Sequence, residues 1–183
     1  VVGEGIVATT ADLAHAVHID AGGLEPDTWY FYRFSVGSWM SQVGKTRTAP
    51  CAGSHASLLR FAVTTCHRYE DGFFTALADL AEQSPDVVFQ LGDYIYEYGN
   101  SSDVRSVTDA TCVDLQGFRR RHALYKTDPD LQKAHACCPW EVIWDDHEVK
   151  NDYYGTSPDP IIQEKMIAGY KAYYEHMPLR LPP

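Results

Sequence analysis

Three short stretches hold the residues best suited to chemistry: Cys66 at the end of an apolar run, LGDYIYEYG at 91–99, and WDDHEV at 144–149. Each stands at the exit of a predicted buried strand. In open α/β sheets ligands gather beyond the carboxyl ends of strands, so Cys66, Asp93 and Asp146 are expected at one place. Oxygen, nitrogen and one thiolate suit a hard, highly charged cation such as iron(III). Asp93 and Tyr96 are three residues apart, so a turn after the strand can aim carboxylate and phenol at one ion. A phenolate is costly unless a trivalent ion holds its charge. Asp146 can ligate a second ion, while His147 beside it can give a proton to a departing alkoxide. Water held between two such cations loses a proton near neutral pH and becomes a nucleophile. The pattern reads as half of a binuclear site that hydrolyses phosphate esters.

Taken singly, each residue has a plainer reading. Gly-Asp after an apolar run makes a turn with a capping carboxylate. A solitary cysteine behaves as a small buried hydrophobe. Asp145-Asp146-His147 fits a solvated loop. The weight lies in three such residues at three strand exits.

Composition narrows the alternatives. With 45% hydrophobic and 13% aromatic residues over 183 positions, the chain is globular and long enough for one good core. No stretch approaches the roughly 20 apolar residues of a membrane helix. A net charge of −10 gives no footprint for nucleic acid, and Arg119-Arg120-Arg121 reads as the solvated face of a helix. An acidic protein acting on anionic phosphates needs local positive charge, and bound metal is the obvious source. Of the five cysteines, Cys51, Cys112, Cys137 and Cys138 remain if Cys66 holds metal, an even set compatible with two disulfides or with buried thiols.

The elements that must position these residues follow from periodicity. Residues 14–20, 28–36 and 39–48 read as strands, and Leu24 to Tyr30 has the turn-then-tyrosine pattern of a sandwich's tyrosine corner. Residues 1–49 are thus expected to be the rear half of an all-β, immunoglobulin- or fibronectin-like sandwich, with 50–57 a Pro/Gly/Ser linker. From 58 to 183 strands and helices alternate: strands at 58–65, 86–91 and 141–144, helices at 72–83, 115–125, 129–136 and 161–176. Such alternation implies parallel pairing and an α/β layered core. Asp128-Pro129 is a helix start, with the aspartate as cap and proline at the first helical position.

A Gly-Asp-x-x-Tyr stretch ahead of an x-His-Glu stretch resembles the calcineurin-like and purple acid phosphatase metallophosphoesterases. More closely, FAVTTCHRYEDGFFTALADLAEQSPDVVFQLGDYIYEYG and FRRRHALYKTDPDLQKAHACCPWEVIWDDHEVKNDYYG resemble the alkaline phosphatase D family (PhoD-like phosphatases), and LEPDTWYFYRFSVG and GKTRTAP resemble its N-terminal sandwich. The resemblance implies Cys66 and Tyr96 as iron ligands, Asp93 bridging the ions, Asp146 as a ligand in place of asparagine, and His147 as the catalytic histidine. It also implies Fe3+ with Ca2+, a secreted or envelope location, and hydrolysis of phosphate monoesters and diesters by a metal-activated hydroxide. Substrates would be small phosphate esters or phosphodiester polymers. Asn151 is a further candidate contact, and His67 a neighbour of the site. The family's later TGDxH-like metal motif has no match here, so 58–183 is expected to be the first half of the metallophosphatase domain. The chain reads as truncated at both ends, with ester hydrolysis by the isolated piece near background.

Two other readings compete. One is a non-catalytic structural or binding module whose acidic loops hold calcium. The other, a zinc peptidase, is weak, because His147-Glu148-Val149-Lys150-Asn151 lacks the second histidine of HExxH.

Overall fold

The computed structural model describes residues 2–55, 57–100, 104–109 and 111–180. Its architecture is mixed α/β. Strands β1 (Trp29–Tyr32) and β4 (Gly44–Arg47) pair antiparallel, and β2 (Ser35–Val36) pairs with β3 (Trp39–Met40). Strands β5 (Phe61–Thr64), β6 (Val87–Leu91) and β7 (Trp140–Ile143) form a parallel sheet in chain order. Helix α1 (Thr75–Glu82) connects the first pair, and α2 (Leu115–Tyr125) with α3 (Pro129–Cys137) lies between the second. Helix α4 (Pro160–His176) follows β7 and packs on α2.

The helices begin where short acceptors cap them. Asp114 accepts from Gly117 N (2.7 Å), Asp128 from Asp130 N and Leu131 N (2.9 and 3.0 Å), and Asp159 from Ile161 N (2.9 Å). Proline stands at the first position of α3 and α4, where no N–H is needed. Leu77, Val88, Phe118, Tyr125, Leu131 and Tyr173 meet in one core on the helix side of the sheet. The other sheet face leaves Phe61, Val63, Leu91 and Ile143 exposed.

Several expectations need correction. No strand forms at 14–20. A 3-10 turn at Ala11–Leu13 is followed by Ala14 and His15 in the left-handed region, and His18 then stacks on Tyr174 of α4 at 4.5 Å. A segment of alanines and histidines has little apolar face to bury in a sheet, so it docks on a helix instead. The long strands expected at 28–36 and 39–48 each divide in two. Ser41 Oγ accepts the Phe34 N–H at 2.9 Å, so a side chain replaces a ladder bond at the break. The tyrosine at the corner behaves as its pattern implies, Tyr30 Oη accepting from Glu25 N at 2.9 Å.

The arginine run is not a solvated face. Arg120 is exposed, but Arg119 and Arg121 are buried. Arg119 forks onto Glu175 (2.6 and 2.8 Å) and reaches Asp12 O at 2.7 Å. Arg121 donates to the carbonyls of Tyr96 and Tyr98, bracing the loop after β6. Successive helical residues point about 100° apart, so a run of three must send some inward. No disulfide joins the cysteines: all five are free, and Cys137 Sγ and Cys138 Sγ lie 3.4 Å apart.

Two glycines permit the approaches that shape the site. Gly92 has φ +94, and a Cβ there would fall 2.4 Å from Asp145 Cβ, so the exits of β6 and β7 close only over glycine. At Gly169 a Cβ would fall 2.5 Å from Glu148 O, which lets α4 press against the segment after β7.

Candidate metal centre

Cys66, Asp93 and Asp146 leave the C-terminal ends of β5, β6 and β7 in that order. Ladder-like bonds run past the strands, Cys66 N donating to Gly92 O (3.3 Å) and His67 N to Asp93 O (3.0 Å). Cys66 and Asp93 then adopt φ of 57° and 53°. Two non-glycine residues in the left-handed region, facing each other across a sheet end, are strained by roughly 1–3 kcal/mol each and mark a functional turn.

That strain brings the donors together on one oxygen. Cys66 Sγ lies 3.3 Å from Asp93 Oδ2, and Tyr96 Oη donates to the same atom at 3.2 Å. Asp93, Asp146 and His147 each offer a ligand atom within 4.8 Å of the others. Burial pushes the Asp93 carboxyl above the usual carboxylate range, with the Asp146 charge adding a smaller push. Burial also raises the Tyr96 phenol, and Asp93 and Cys66 raise it further. Asp93 and Tyr96 are thus both discouraged from ionising beside the Cys66 thiol, and a multivalent cation would reverse that at once. The donor set therefore fits metal.

Three residues that sequence reading passed over hold this arrangement. Glu148, fully buried, accepts from Asp93 N (3.2 Å), Tyr94 N (2.5 Å) and Asp145 N (2.9 Å), joining the loops after β6 and β7. Glu97 Oε2 meets His147 Nδ1 at 2.8 Å, while Oε1 accepts from Asn151 N at 2.9 Å. Arg121 is the third, through its carbonyl contacts above. The sequence signal for Glu97 was available: it lies four residues after Asp93 in the same loop, and a histidine expected to move protons needs an acceptor behind it.

The remaining candidates separate. Asn151 turns its amide to Asp152 Oδ2 (2.8 Å), and Asp152 N donates to Asp146. His67 is buried among Phe74 and Tyr94, with Thr64 Oγ1 on its Nε2, so it belongs to the core beneath the site.

Glu97 fixes the tautomer of His147. With Nδ1–H donating to the carboxylate, Nε2 is the free atom. Glu97→Gln can present an amide N–H instead and favour the wrong tautomer. Turnover is expected to fall by about 10–100-fold with unchanged metal content, measured on the metal-loaded protein. A parental rate in the Glu97→Gln variant would remove Glu97 from the positioning role.

The sequence can now be set beside known proteins. Residues 61–182 match the PhoD-like phosphatase family, and residues 1–50 match the PhoD-like phosphatase N-terminal domain. Alkaline phosphatase D of Bacillus subtilis (strain 168) is 44% identical over 192 aligned residues, covering 99% of this chain and 33% of that protein. A solved structure of PhoD superposes with a TM-score of 0.89 at 44% identity, over 93% of this chain and 35% of the other. The chain thus spans about a third of the length of either relative. With the family matched across the whole α/β part and the donors gathered at its strand ends, this chain belongs to the PhoD-like phosphatase family.

Proposed function

We propose that this chain carries part of a metal-dependent phosphoesterase that hydrolyses phosphate monoesters and diesters. The observation that carries the reading is the meeting of Cys66, Tyr96 and Asp93 beside Asp146 and His147 at the ends of three parallel strands. Cys66, Asp93 and Tyr96 would hold iron(III), with Asp93 shared toward a second ion, calcium, at Asp146. Thiolate and phenolate suit the trivalent ion, and carboxylates suit the calcium. Bound there, the ions would supply positive charge for the phosphate and acidify water.

The chain's own residues do the rest. Glu148 keeps the β6 and β7 loops in register, so Asp93 and Asp146 stay within reach of one another. His147 donates from Nε2 to the oxygen of the departing alcohol while Glu97 stabilises the imidazolium through Nδ1. Residues 1–49 form the rear part of an immunoglobulin-like sandwich in this reading, 50–57 a linker, and 58–183 the first part of a layered catalytic domain. This reading includes a secreted or envelope location. Among the described residues no helix is long and apolar enough to cross a membrane.

The test is to express the protein from its full reading frame, load it with iron and calcium, and measure metal content, visible absorption and hydrolysis of an aryl phosphate and an aryl phosphodiester. One iron per site with a phenolate band and turnover supports the proposal. Calcium alone, without the band and without turnover, would return the chain to a calcium-binding module.

A further inference from the structure

The hydrolase reading gives no role to Arg68, a cation near the site. Arg68 lies two residues past Cys66, and its guanidinium carbon stands 5.1 Å from the Tyr98 ring centre and 6.0 Å from that of Tyr96. The same two rings flank His147, at 4.1 Å for Tyr96 and 5.5 Å for Tyr98. Arg68 and His147 therefore share both aromatic neighbours. The shared rings put the arginine in the neighbourhood of His147 and of Tyr96, whose hydroxyl meets Asp93.

Its donors are largely unengaged. A guanidinium carries five N–H groups in a fixed fork. Nη2 meets the Asn100 side-chain oxygen at 2.6 Å, with that amide turned so its nitrogen donates to Gly99 O. Nε is shielded and has no hydrogen-bond partner. The nearest carboxylate, Asp71, is 3.9 Å from Nε and itself 68% exposed, which is an ion pair too long to be a hydrogen bond. The other arginines near this part of the fold have firm acceptors: Arg105 has Asp128, Arg119 has Glu175, and Arg121 has two carbonyls. Tyr98 packs on the guanidinium carbon at 5.1 Å without accepting a conventional hydrogen bond from it, and guanidinium N–H groups are what bind phosphate oxygens.

We propose that Arg68 is a specificity-determining residue, its guanidinium edge hydrogen-bonding a terminal oxygen of the substrate phosphate and favouring monoesters over diesters. This rests on the phosphoesterase reading of the same site. A monoester dianion offers three non-bridging oxygens and two charges, whereas a diester offers two oxygens and one charge. Once two oxygens are engaged at the centre, only the monoester has another to give a guanidinium. In a site that already holds the carboxylates of Asp93 and Asp146, the extra charge is also favoured by a fixed positive neighbour.

The experiment compares parent, Arg68→Gln and Arg68→Lys in the metal-loaded protein from the full reading frame. Arg68→Gln is expected to lower kcat/KM for an aryl phosphate by about 10–100-fold, chiefly through KM, and for a bis-aryl phosphate by less than about threefold. Arg68→Lys should restore part of the loss, because it returns the charge without the fork. Affinity for inorganic phosphate, read by calorimetry, should weaken in step with the monoester. Equal losses on both esters would make Arg68 a structural strut and overturn the proposal, as would parental values on both. If Arg68→Gln does not fold, Arg68→Lys carries the same comparison. If the parent hydrolyses neither ester, the phosphoesterase reading fails by itself. Phosphate calorimetry then decides Arg68 independently: weaker binding by the variant supports the contact, and equal binding overturns it.

Discussion

Replacing His147 by alanine is expected to lower turnover of an alkyl phosphate by about 10²–10⁴-fold while metal content stays at the parental level. The ring packs against Tyr96 and Tyr98, and its Nδ1 is engaged by Glu97, so Nε2 is the atom left to give a proton. Cys66, Asp93, Tyr96 and Asp146, the proposed metal ligands, remain in the variant. The leaving group supplies a further check. A nitrophenolate departs without much help from an acid, so the loss should be smaller for a nitrophenyl ester than for an alkyl one. His147 also contributes one of the three ligand atoms that lie within 4.8 Å of each other, which makes ligation the rival role. Metal lost together with the imidazole would assign His147 as a ligand. An unchanged rate on both esters would take it out of the mechanism.

Glu148→Gln is expected to make the metal-free protein more sensitive to acid, by about 3 kcal/mol between pH 7 and pH 4.5. Burial among Phe74 and Tyr94 lowers the His67 pKa from 6.5 to about 4. A base whose folded pKa is depressed contributes stability above its unfolded value and loses it as pH falls. From pH 6.5 to 4 that loss is about 3 kcal/mol, at about 1.36 kcal/mol per unit. His122, His135 and His176 are also held low by burial, and His122 has no partner on either nitrogen.

Glu148 runs the other way. Burial pushes its carboxyl up from 4.5 to about 7, so the native state takes a proton that the unfolded chain declines. That contribution is complete below pH 4.5 and is lost as pH rises through about 7. Between pH 4.5 and 6.5 it offsets His67, leaving the other histidines to tip the balance toward acid instability. Glutamine cannot titrate, so the counterweight disappears. It also cannot accept at both of its ends, and one of the backbone donors of Asp93, Tyr94 or Asp145 would lose its partner at about 1–3 kcal/mol, independent of pH. Urea unfolding at several pH values separates the two effects. Parallel pH curves for parent and variant would sink the linkage account, whatever the constant offset between them.

Much of this protein's local structure is legible in its sequence. The bounds of α2 emerge from its apolar spacing, and α3 starts at Pro129 because Asp128-Pro129 is a local device needing no distant partner. Strands β5, β6 and β7 are short apolar runs, and their exits at Cys66, Asp93 and Asp146 follow once the strands are parallel. Periodicity and caps act within about a turn of chain, and that is why a linear reading can find them.

What the tertiary structure alone decided is how charged residues divide between water and the interior. Arg119, Arg120 and Arg121 are consecutive and chemically alike, yet only the middle one meets solvent, because Glu175 and the Tyr96 and Tyr98 carbonyls lie on the inward side. Glu97 and Glu148 look like surface acids in a linear reading. Folding places one behind His147 and the other under three backbone N–H groups, joining positions as far as 50 and 55 residues apart in the chain. The five cysteines made two bridges conceivable by number, but a bond needs Sγ atoms about 2.05 Å apart, and only the fold assigns those distances. Residue type and spacing are sufficient where the partner is near in sequence. Where a charge must be neutralised in a dry interior, the partner comes from another element, and the packing of elements chooses it.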